Sequence, residues 1–126
     1  MGKYSRDKGA AGERELAKLC RAEGYDVHRT AQYRGNTGAA GDCEGLPGIH
    51  IECKRCQQVR LEDWMAQAVR DSEASGRGNL PAVFHRKNNC DWLVTMRISD
   101  WFAIYREWEA GRCETQQKTD TCAAKA

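Results

Sequence analysis

The spacing of apolar residues along the chain predicts three helices. Over residues 9–23 the apolar side chains fall three and four positions apart, and Gly24 follows as a natural helix stop. A second stripe of this kind covers residues 60–74, and a third runs from Ser99, a potential cap, to Gly111. The third stripe consists of Trp101, Ile104, Tyr105 and Trp108. We interpret it as core or as a dimer contact rather than as a platform for DNA bases.

Alternation of apolar and polar residues predicts strands between these helices. Residues 48–55 would form a strand with two different faces, because successive side chains project to opposite sides. Its apolar face comprises Ile49, Ile51 and Cys53, and its polar face comprises His50, Glu52 and Lys54. Residues 25–30 are predicted to form a shorter strand. Residues 82–86 and 91–96 are predicted to form the two strands of a hairpin. This order of elements is typical of an α/β domain with a central mixed sheet.

Length and composition favour one domain with an ordinary surface. A chain of 126 residues can bury one core and is too short for two. We assign residues 1–111 to this domain and residues 112–126, which are polar and lack aromatic side chains, to a flexible tail. Twenty Lys and Arg oppose eighteen Asp and Glu, and the resulting net charge of +2 argues against a strongly basic nucleic-acid binder.

The sequence predicts a soluble, cytoplasmic protein that makes no membrane contact. No stretch approaches the roughly 20 apolar residues of a membrane span, and the first residues lack the apolar segment of a secretory signal. Seven cysteines at irregular spacing favour reduced thiols over a disulfide framework. Cys53 and Cys56 form a single CxxC pair, which we interpret as structural. A zinc or redox protein that uses these thiols remains an alternative.

Three carboxylates occupy positions from which they could converge. Glu13 lies on the inner side of the first helix, Asp42 ends a glycine-rich loop, and Glu52 lies on the polar face of the central strand. Clustered carboxylates are costly to desolvate unless a cation neutralises them, so they indicate a Mg²⁺ or Mn²⁺ site. Lys54, on the face of Glu52, would position or deprotonate the attacking water, or stabilise charge on a phosphate.

A purely structural interpretation of the same residues stays open. Asp42 fits a turn, and Glu13 fits the favourable charge of a helix N-terminus. Glu52 and Lys54 fit a surface ion pair. Glu15, two residues after Glu13 in the first helix, is expected to point to water.

Two segments resemble the PD-(D/E)xK nuclease superfamily. GDCEGLPGIHIECK, residues 41–54, resembles its Asp-(x)n-Glu-x-Lys signature, with Gly41 where the motif has proline. KGAAGERELAKLCRAEGYDVHRTAQYRG, residues 8–35, is similar to the opening of archaeal-type Holliday junction resolvases and related phage endonucleases. The likeness covers roughly residues 8–70. It implies a restriction-endonuclease-like fold of three layers, in which helices flank the central mixed sheet.

The resemblance also implies an activity and a set of roles. The expected protein is a Mg²⁺-dependent DNA endonuclease, with selectivity for branched DNA in the manner of a junction resolvase, and it works as a homodimer. The implied metal ligands are Glu13, Asp42, Glu52 and the backbone carbonyl of Cys53. The implied catalytic residues are these three carboxylates, Lys54, and Gln67, which resembles a glutamine on the helix after the lysine strand.

Other positions carry weaker indications. Lys8, Arg29 and Arg34 are candidate contacts to DNA phosphates, although each is equally compatible with a solvated charge. His50 shares the face of Glu52 and either borders the site or is simply hydrogen-bonded. The alternative to an enzyme is a non-catalytic DNA-binding or recombination accessory protein that keeps the nuclease-like fold.

Overall fold

The computed structural model describes the backbone of residues 3–30 and 41–125 and the side chains of residues 9–30 and 41–116. Three helices and five strands lie within these residues. In chain order they are α1 (Lys3–Ala22), β1 (His28–Arg29), β2 (Cys43–Glu44), β3 (Ile49–Arg55), α2 (Leu61–Ser75), β4 (Leu80–Arg86), β5 (Leu93–Met96) and α3 (Ile98–Lys125). The predicted succession of helices and strands is confirmed.

The strands form one mixed sheet in the order β1-β2-β3-β4-β5. β1 pairs antiparallel with β2, and β2 pairs antiparallel with β3. β3 and β4 are parallel, and β4 and β5 form the predicted antiparallel hairpin. A parallel pair needs a crossover connection, which α2 provides. β3 is therefore the central strand of the sheet, with α2 following it directly.

The register of β3 and β4 divides the core between the two faces of the sheet. Ile51 lies opposite Ala82, and Glu52 lies opposite Val83, so neighbouring residues face opposite sides. One buried cluster, on the side of α1, comprises Leu16, Ala17, Cys20, Val27, Cys43 and Ile51. The other, on the side of α2, comprises Trp64, Ala68 and Val83. The apolar side chains of β3 all belong to or pack against the first cluster, which confirms the predicted two faces of this strand.

The chain divides into two compact units, Met1–Met96 and Arg97–Ala126. The first contains the sheet with α1 and α2, and the second contains α3. α3 continues to Lys125, so the predicted helix end at Gly111 is wrong. The polar residues beyond Gly111 include many good helix formers, and a single glycine costs a helix only about 1 kcal/mol. The division into a domain of residues 1–111 and a flexible tail of residues 112–126 remains a prediction.

The predicted stripe of aromatic residues on α3 lies at the surface. Trp101 stacks on Tyr105 with 5.1 Å between ring centroids and 19° between ring planes. Trp101 and Trp108 are exposed, and Arg112 lies 4.8 Å from the ring centroid of Trp108. The aromatic side chains therefore stack along the helix while keeping much of their area accessible.

Several element boundaries differ from the predictions. α1 begins at Lys3 rather than Gly9, and β1 is confined to His28–Arg29. β2 was not predicted, because a strand of two residues, Cys43–Glu44, is too short to show an alternating pattern. No helix among the described residues is both long and apolar enough to cross a membrane.

Candidate active site

The polar face of β3 is turned toward α2. Lys54 donates a hydrogen bond from Nζ to Oε1 of Gln67, with 2.9 Å between the two atoms. His50 and Glu52 are both buried, and Nε2 of the histidine lies 2.9 Å from Oε1 of the glutamate. This face thus carries a partnered ammonium and a buried carboxylate, two residues apart on one strand.

Asp42 is fixed to β3 by both its side chain and its backbone. Its Oδ2 accepts a 2.7 Å hydrogen bond from the backbone N–H of Cys53. Its own N–H donates to the carbonyl of Ile51 at 2.8 Å, and its carbonyl accepts from the N–H of Thr30 at 3.0 Å. Because three hydrogen bonds hold this residue, its carboxylate has a defined position beside the strand that carries Glu52.

Gly41 allows this close approach. A Cβ at residue 41 would lie 2.6 Å from the backbone carbonyl oxygen of Ile51, which is nearer than real contacts permit. The nuclease signature has proline here, and a proline ring would need this segment to move away from β3. The glycine therefore suits the tight packing of the loop in this chain.

Glu13 lies on the α1 side of the sheet, half-buried as predicted. Its Oε1 accepts a hydrogen bond from Nε of Arg29 at 3.2 Å. Gly12 brings α1 close to the sheet at this point, since a Cβ there would lie 2.5 Å from Cβ of Arg55. Arg29, predicted as a phosphate contact, is therefore an ion-pair partner of Glu13, and its side chain is 37% exposed.

Asp42 influences the carboxylates on both sides of it. Burial raises the pKa of Glu52, and the Asp42 carboxylate raises it further, while the hydrogen bond from His50 opposes the shift. Burial likewise raises the pKa of Glu13, again with a contribution from Asp42, while Arg29 opposes it. Mutual repulsion among partly desolvated carboxylates is the condition that a bound divalent cation relieves. The donor set, which consists of oxygen atoms, suits Mg²⁺ or Mn²⁺.

The tightest group of potential metal-ligating side chains has a different composition from the predicted one. One ligand atom each from His50, Glu52 and Asp71 lies within 4.8 Å of the others, and no other His, Cys, Asp or Glu trio in the described parts of the chain is this compact. Glu13 does not belong to this trio, and its carboxylate pairs with Arg29. Sequence reasoning missed Asp71, although it lies one helical turn after Gln67 on α2.

The two cysteines of the CxxC pair belong to different clusters. Cys53 packs against the α1-side cluster, as predicted, and Cys56 packs against the α2-side cluster. Burial raises the pKa of the Cys53 thiol, with Cys43 and Asp42 adding to the effect. Burial also raises the pKa of Cys43 to about 12. Both thiols are therefore protonated at neutral pH and behave as small apolar residues.

Glu15 does not point freely to water, so this prediction is wrong. It accepts hydrogen bonds from Nε1 of Trp92 at 3.0 Å, from Nε of Arg55 at 3.4 Å, and from Arg86. These partners come from β3, β4 and the approach to β5, which the helical pattern of α1 alone could not reveal. Glu15 therefore ties α1 to the sheet close to the candidate site. Of the other predicted DNA contacts, the Lys8 side chain and Arg34 lie outside the described residues.

Comparisons with known proteins bear on both family and fold. The chain matches the family described as "Phage putative PDDEXK endonuclease" over residues 4–123. Among solved structures, it is similar to Hjc, a Holliday junction resolvase from the archaeal hyperthermophile Archaeoglobus fulgidus, with a TM-score of 0.53 and 21% identity. That match covers 68% of this chain and 74% of the resolvase chain. It confirms the predicted restriction-endonuclease-like fold, in which α1 and α2 flank the mixed sheet. A search of curated proteins found no match.

Proposed function

The chain belongs to the phage putative PDDEXK endonuclease family, and we propose that it is a DNA endonuclease that hydrolyses phosphodiester bonds with Mg²⁺ or Mn²⁺ as its cofactor. The observation that carries the proposal is the fixed position of the Asp42 carboxylate beside β3, the strand on which Glu52 and Lys54 share one face. Fold likeness alone does not determine activity. The chemistry of these three side chains is what supports a hydrolase.

The proposed metal ligands are the carboxylates of Asp42 and Glu52, the carboxylate of Glu13 acting directly or through water, and the backbone carbonyl of Cys53. The raised pKa values of Glu52 and Glu13 fit this role, because a cation would favour their ionised forms. When bound, a divalent cation activates water and offsets the negative charge that develops on the phosphate oxygens. Direct binding of the cation by Glu13 would compete with its ion pair with Arg29.

Lys54 is proposed to orient the attacking water and to stabilise charge on the phosphate. Its hydrogen bond to Gln67 limits the positions that the flexible lysine side chain can take. Gln67 would then act by placing the ammonium rather than by contacting the reacting atoms. Neither role requires a covalent enzyme intermediate, since water is the nucleophile.

Binding of DNA is proposed to depend on basic side chains. Arg29 is proposed as one phosphate contact, because its side chain remains 37% exposed while it pairs with Glu13. Lys8 and Arg34 are proposed as further contacts. Replacing each by alanine should weaken DNA binding and reduce its dependence on salt concentration.

Selectivity for branched DNA and a homodimeric state are the finer parts of the proposal. Hjc is a Holliday junction resolvase, and a junction presents two equivalent strands that a symmetric dimer could cut. The exposed aromatic side chains of α3, Trp101 and Trp108, are a surface that a second copy of the chain would cover. Sedimentation equilibrium of the wild type and of Trp108→Glu would test this, with dissociation expected in the variant. A wild-type monomer at all concentrations would contradict the dimer.

The activity is tested with labelled four-way junctions, nicked duplexes and linear duplexes of one base composition. We expect cleavage in Mg²⁺ and Mn²⁺ and none in EDTA, with the junction cut fastest. Equal rates on all three substrates would contradict branch selectivity but not nuclease activity. Intact DNA in every case, together with folded protein that binds DNA, would instead support an accessory protein with a nuclease-like fold.

A further inference from the structure

A buried histidine holds one oxygen of Glu52 on the side of α2. Nε2 of His50 lies 2.9 Å from Oε1 of Glu52, and the two residues are 5% and 1% exposed. An ionised carboxylate only accepts hydrogen bonds, so the imidazole must carry its proton on Nε2 when Glu52 is charged. A hydrogen bond in this dry environment strongly restricts the carboxylate, because few water molecules are available as alternative partners.

Asp71 lies close to both of these side chains. One of its carboxylate oxygens lies within 4.8 Å of both a nitrogen of His50 and an oxygen of Glu52. It comes from α2, whereas the other two residues come from β3. A half-buried carboxylate this close to an imidazole can influence the orientation of the ring.

The geometry points to His50 as a positioning residue for Glu52, with Asp71 orienting His50 in turn. The hydrogen bond from the histidine occupies Oε1 of Glu52, which leaves Oε2 as the oxygen that a cation would take. The inference rests on the proposed function, since it assigns Oε2 of Glu52 to a divalent cation. His50 and Asp71 themselves do not touch the cation or the DNA.

The same three residues could instead be arranged as direct ligands of a cation, which is a different role from positioning. His50, Glu52 and Asp71 are close enough together to bind a cation directly as three ligands. In that arrangement the histidine would use the lone pair of Nε2 or Nδ1, and a glutamine in its place would bind the metal poorly. In the positioning arrangement a glutamine at residue 50 can donate an N–H to Glu52 as the imidazole does.

The test is calorimetric titration of Mn²⁺ into the wild type, His50→Ala and His50→Gln, with folding verified by circular dichroism. We expect His50→Ala to bind Mn²⁺ about 10- to 100-fold more weakly, as happens when a residue that orients a metal ligand is lost, and His50→Gln to retain most of the affinity. His85→Ala and His85→Gln are matched controls, because His85 is also buried but hydrogen-bonds Thr95, and both should bind like the wild type.

A double-mutant cycle extends the test to Asp71. Asp71→Ala should weaken Mn²⁺ binding in the wild type and have little further effect in His50→Ala, because Asp71 acts through the histidine. If His50→Ala fails to fold, the Mn²⁺ affinities of His50→Gln and Asp71→Ala are compared instead. Near wild-type affinity of His50→Gln together with weaker binding by Asp71→Ala supports the positioning arrangement, and poor binding by His50→Gln contradicts it. If the losses of Mn²⁺ affinity caused by Asp71→Ala and His50→Ala add up in the double variant, Asp71 does not act through His50.

Electron spin-echo spectroscopy of bound Mn²⁺ separates the two arrangements independently of activity. No coupling to a histidine nitrogen is expected, and such a coupling would overturn the inference in favour of direct ligation. Equal Mn²⁺ binding by wild type and His50→Ala would overturn it while leaving the proposed function intact. Failure of the wild-type protein to bind Mn²⁺ would contradict the proposed metal site, and with it the positioning role.

Discussion

Lys54 of β3 and Gln67 of α2 are joined by a hydrogen bond of 2.9 Å between Nζ and Oε1. The bond links the central strand of the sheet to the helix that follows it, and it fixes an ammonium on the same face as the buried Glu52. A lysine side chain otherwise has several freely rotating bonds. Because the hydrogen bond to Gln67 already restricts the lysine side chain, Lys54 loses less conformational entropy when it contacts a phosphate.

Removing this bond should slow cleavage without weakening DNA binding. Gln67→Ala is expected to lower the single-turnover rate roughly 10- to 100-fold, because the ammonium of Lys54 is no longer held in place. The rate is measured with saturating enzyme and Mg²⁺, and DNA affinity is measured in Ca²⁺. Glu73→Ala, an exposed substitution on the same helix, serves as the control. A wild-type rate for Gln67→Ala would remove the glutamine from the proposed site.

The raised pKa of Glu52 predicts that the metal-free protein loses stability as pH rises. Burial, with the Asp42 carboxylate adding to it, raises the pKa of Glu52 above its ordinary value of 4.5. The folded protein thus holds this proton more tightly than the unfolded chain does. The contribution to stability is fully present below that ordinary value and is lost as pH rises through the raised pKa.

Glu52→Gln should remove this dependence, since an amide cannot ionise but can still accept a hydrogen bond from His50. In EDTA the variant is expected to be more stable than the wild type near neutral pH. Urea unfolding at a series of pH values measures this, with Glu62→Gln on the exposed start of α2 as the control. Parallel pH profiles for Glu52→Gln and wild type would show that the proton on Glu52 is not responsible.

Two glycines of α1 should respond oppositely to the same substitution. A Cβ at Gly12 would lie 2.5 Å from Cβ of Arg55, whereas a Cβ at Gly9 meets nothing within 4 Å. Gly12→Ala is expected to lower the free energy of unfolding by about 1–3 kcal/mol through overpacking. Gly9→Ala should raise it by about 0.5–1 kcal/mol through helix propensity. Equal effects in thermal unfolding would contradict the close packing of α1 on β3.

Glu15 should matter for stability rather than for chemistry. Its side chain accepts hydrogen bonds from Trp92, Arg55 and Arg86, although about a third of it remains exposed to solvent. Glu15→Ala is expected to cost about 1–2 kcal/mol, a figure that allows for this exposure. Chemical unfolding measures the loss, and Lys18→Ala, exposed on the same helix, should change little. A loss no larger than that of Lys18→Ala would show that these contacts are weak.

Patterns within single elements were predictable from the sequence. The alternation in β3 identified the face that carries Glu52 and Lys54, and the helical spacing of α1 identified Glu13 as half-buried. These features depend only on the geometry of one strand or one helix. The family resemblance added Gln67, which no periodicity could have connected to the lysine.

Contacts between distant elements were not predictable. Asp71 approaches His50 only because α2 crosses from β3 to β4 on the face that carries the histidine. The partners of Glu15 lie about 40 to 77 positions away along the chain. The ion pair between Arg29 and Glu13 joins a predicted phosphate contact to a predicted metal ligand. Each of these depends on how layers pack, which local spacing does not encode.

The central claim is that Asp42, Glu52 and Lys54 hydrolyse DNA with the help of a divalent cation. Single-turnover cleavage of a labelled four-way junction, compared among wild type, Asp42→Asn and Lys54→Ala, tests it most directly. We predict cleavage by the wild type in Mg²⁺ but not in EDTA, and rates at least about 100-fold lower for both variants, with DNA binding in Ca²⁺ retained. Cleavage by Lys54→Ala at the wild-type rate, or intact DNA with folded wild-type protein in both Mg²⁺ and Mn²⁺, would contradict the claim.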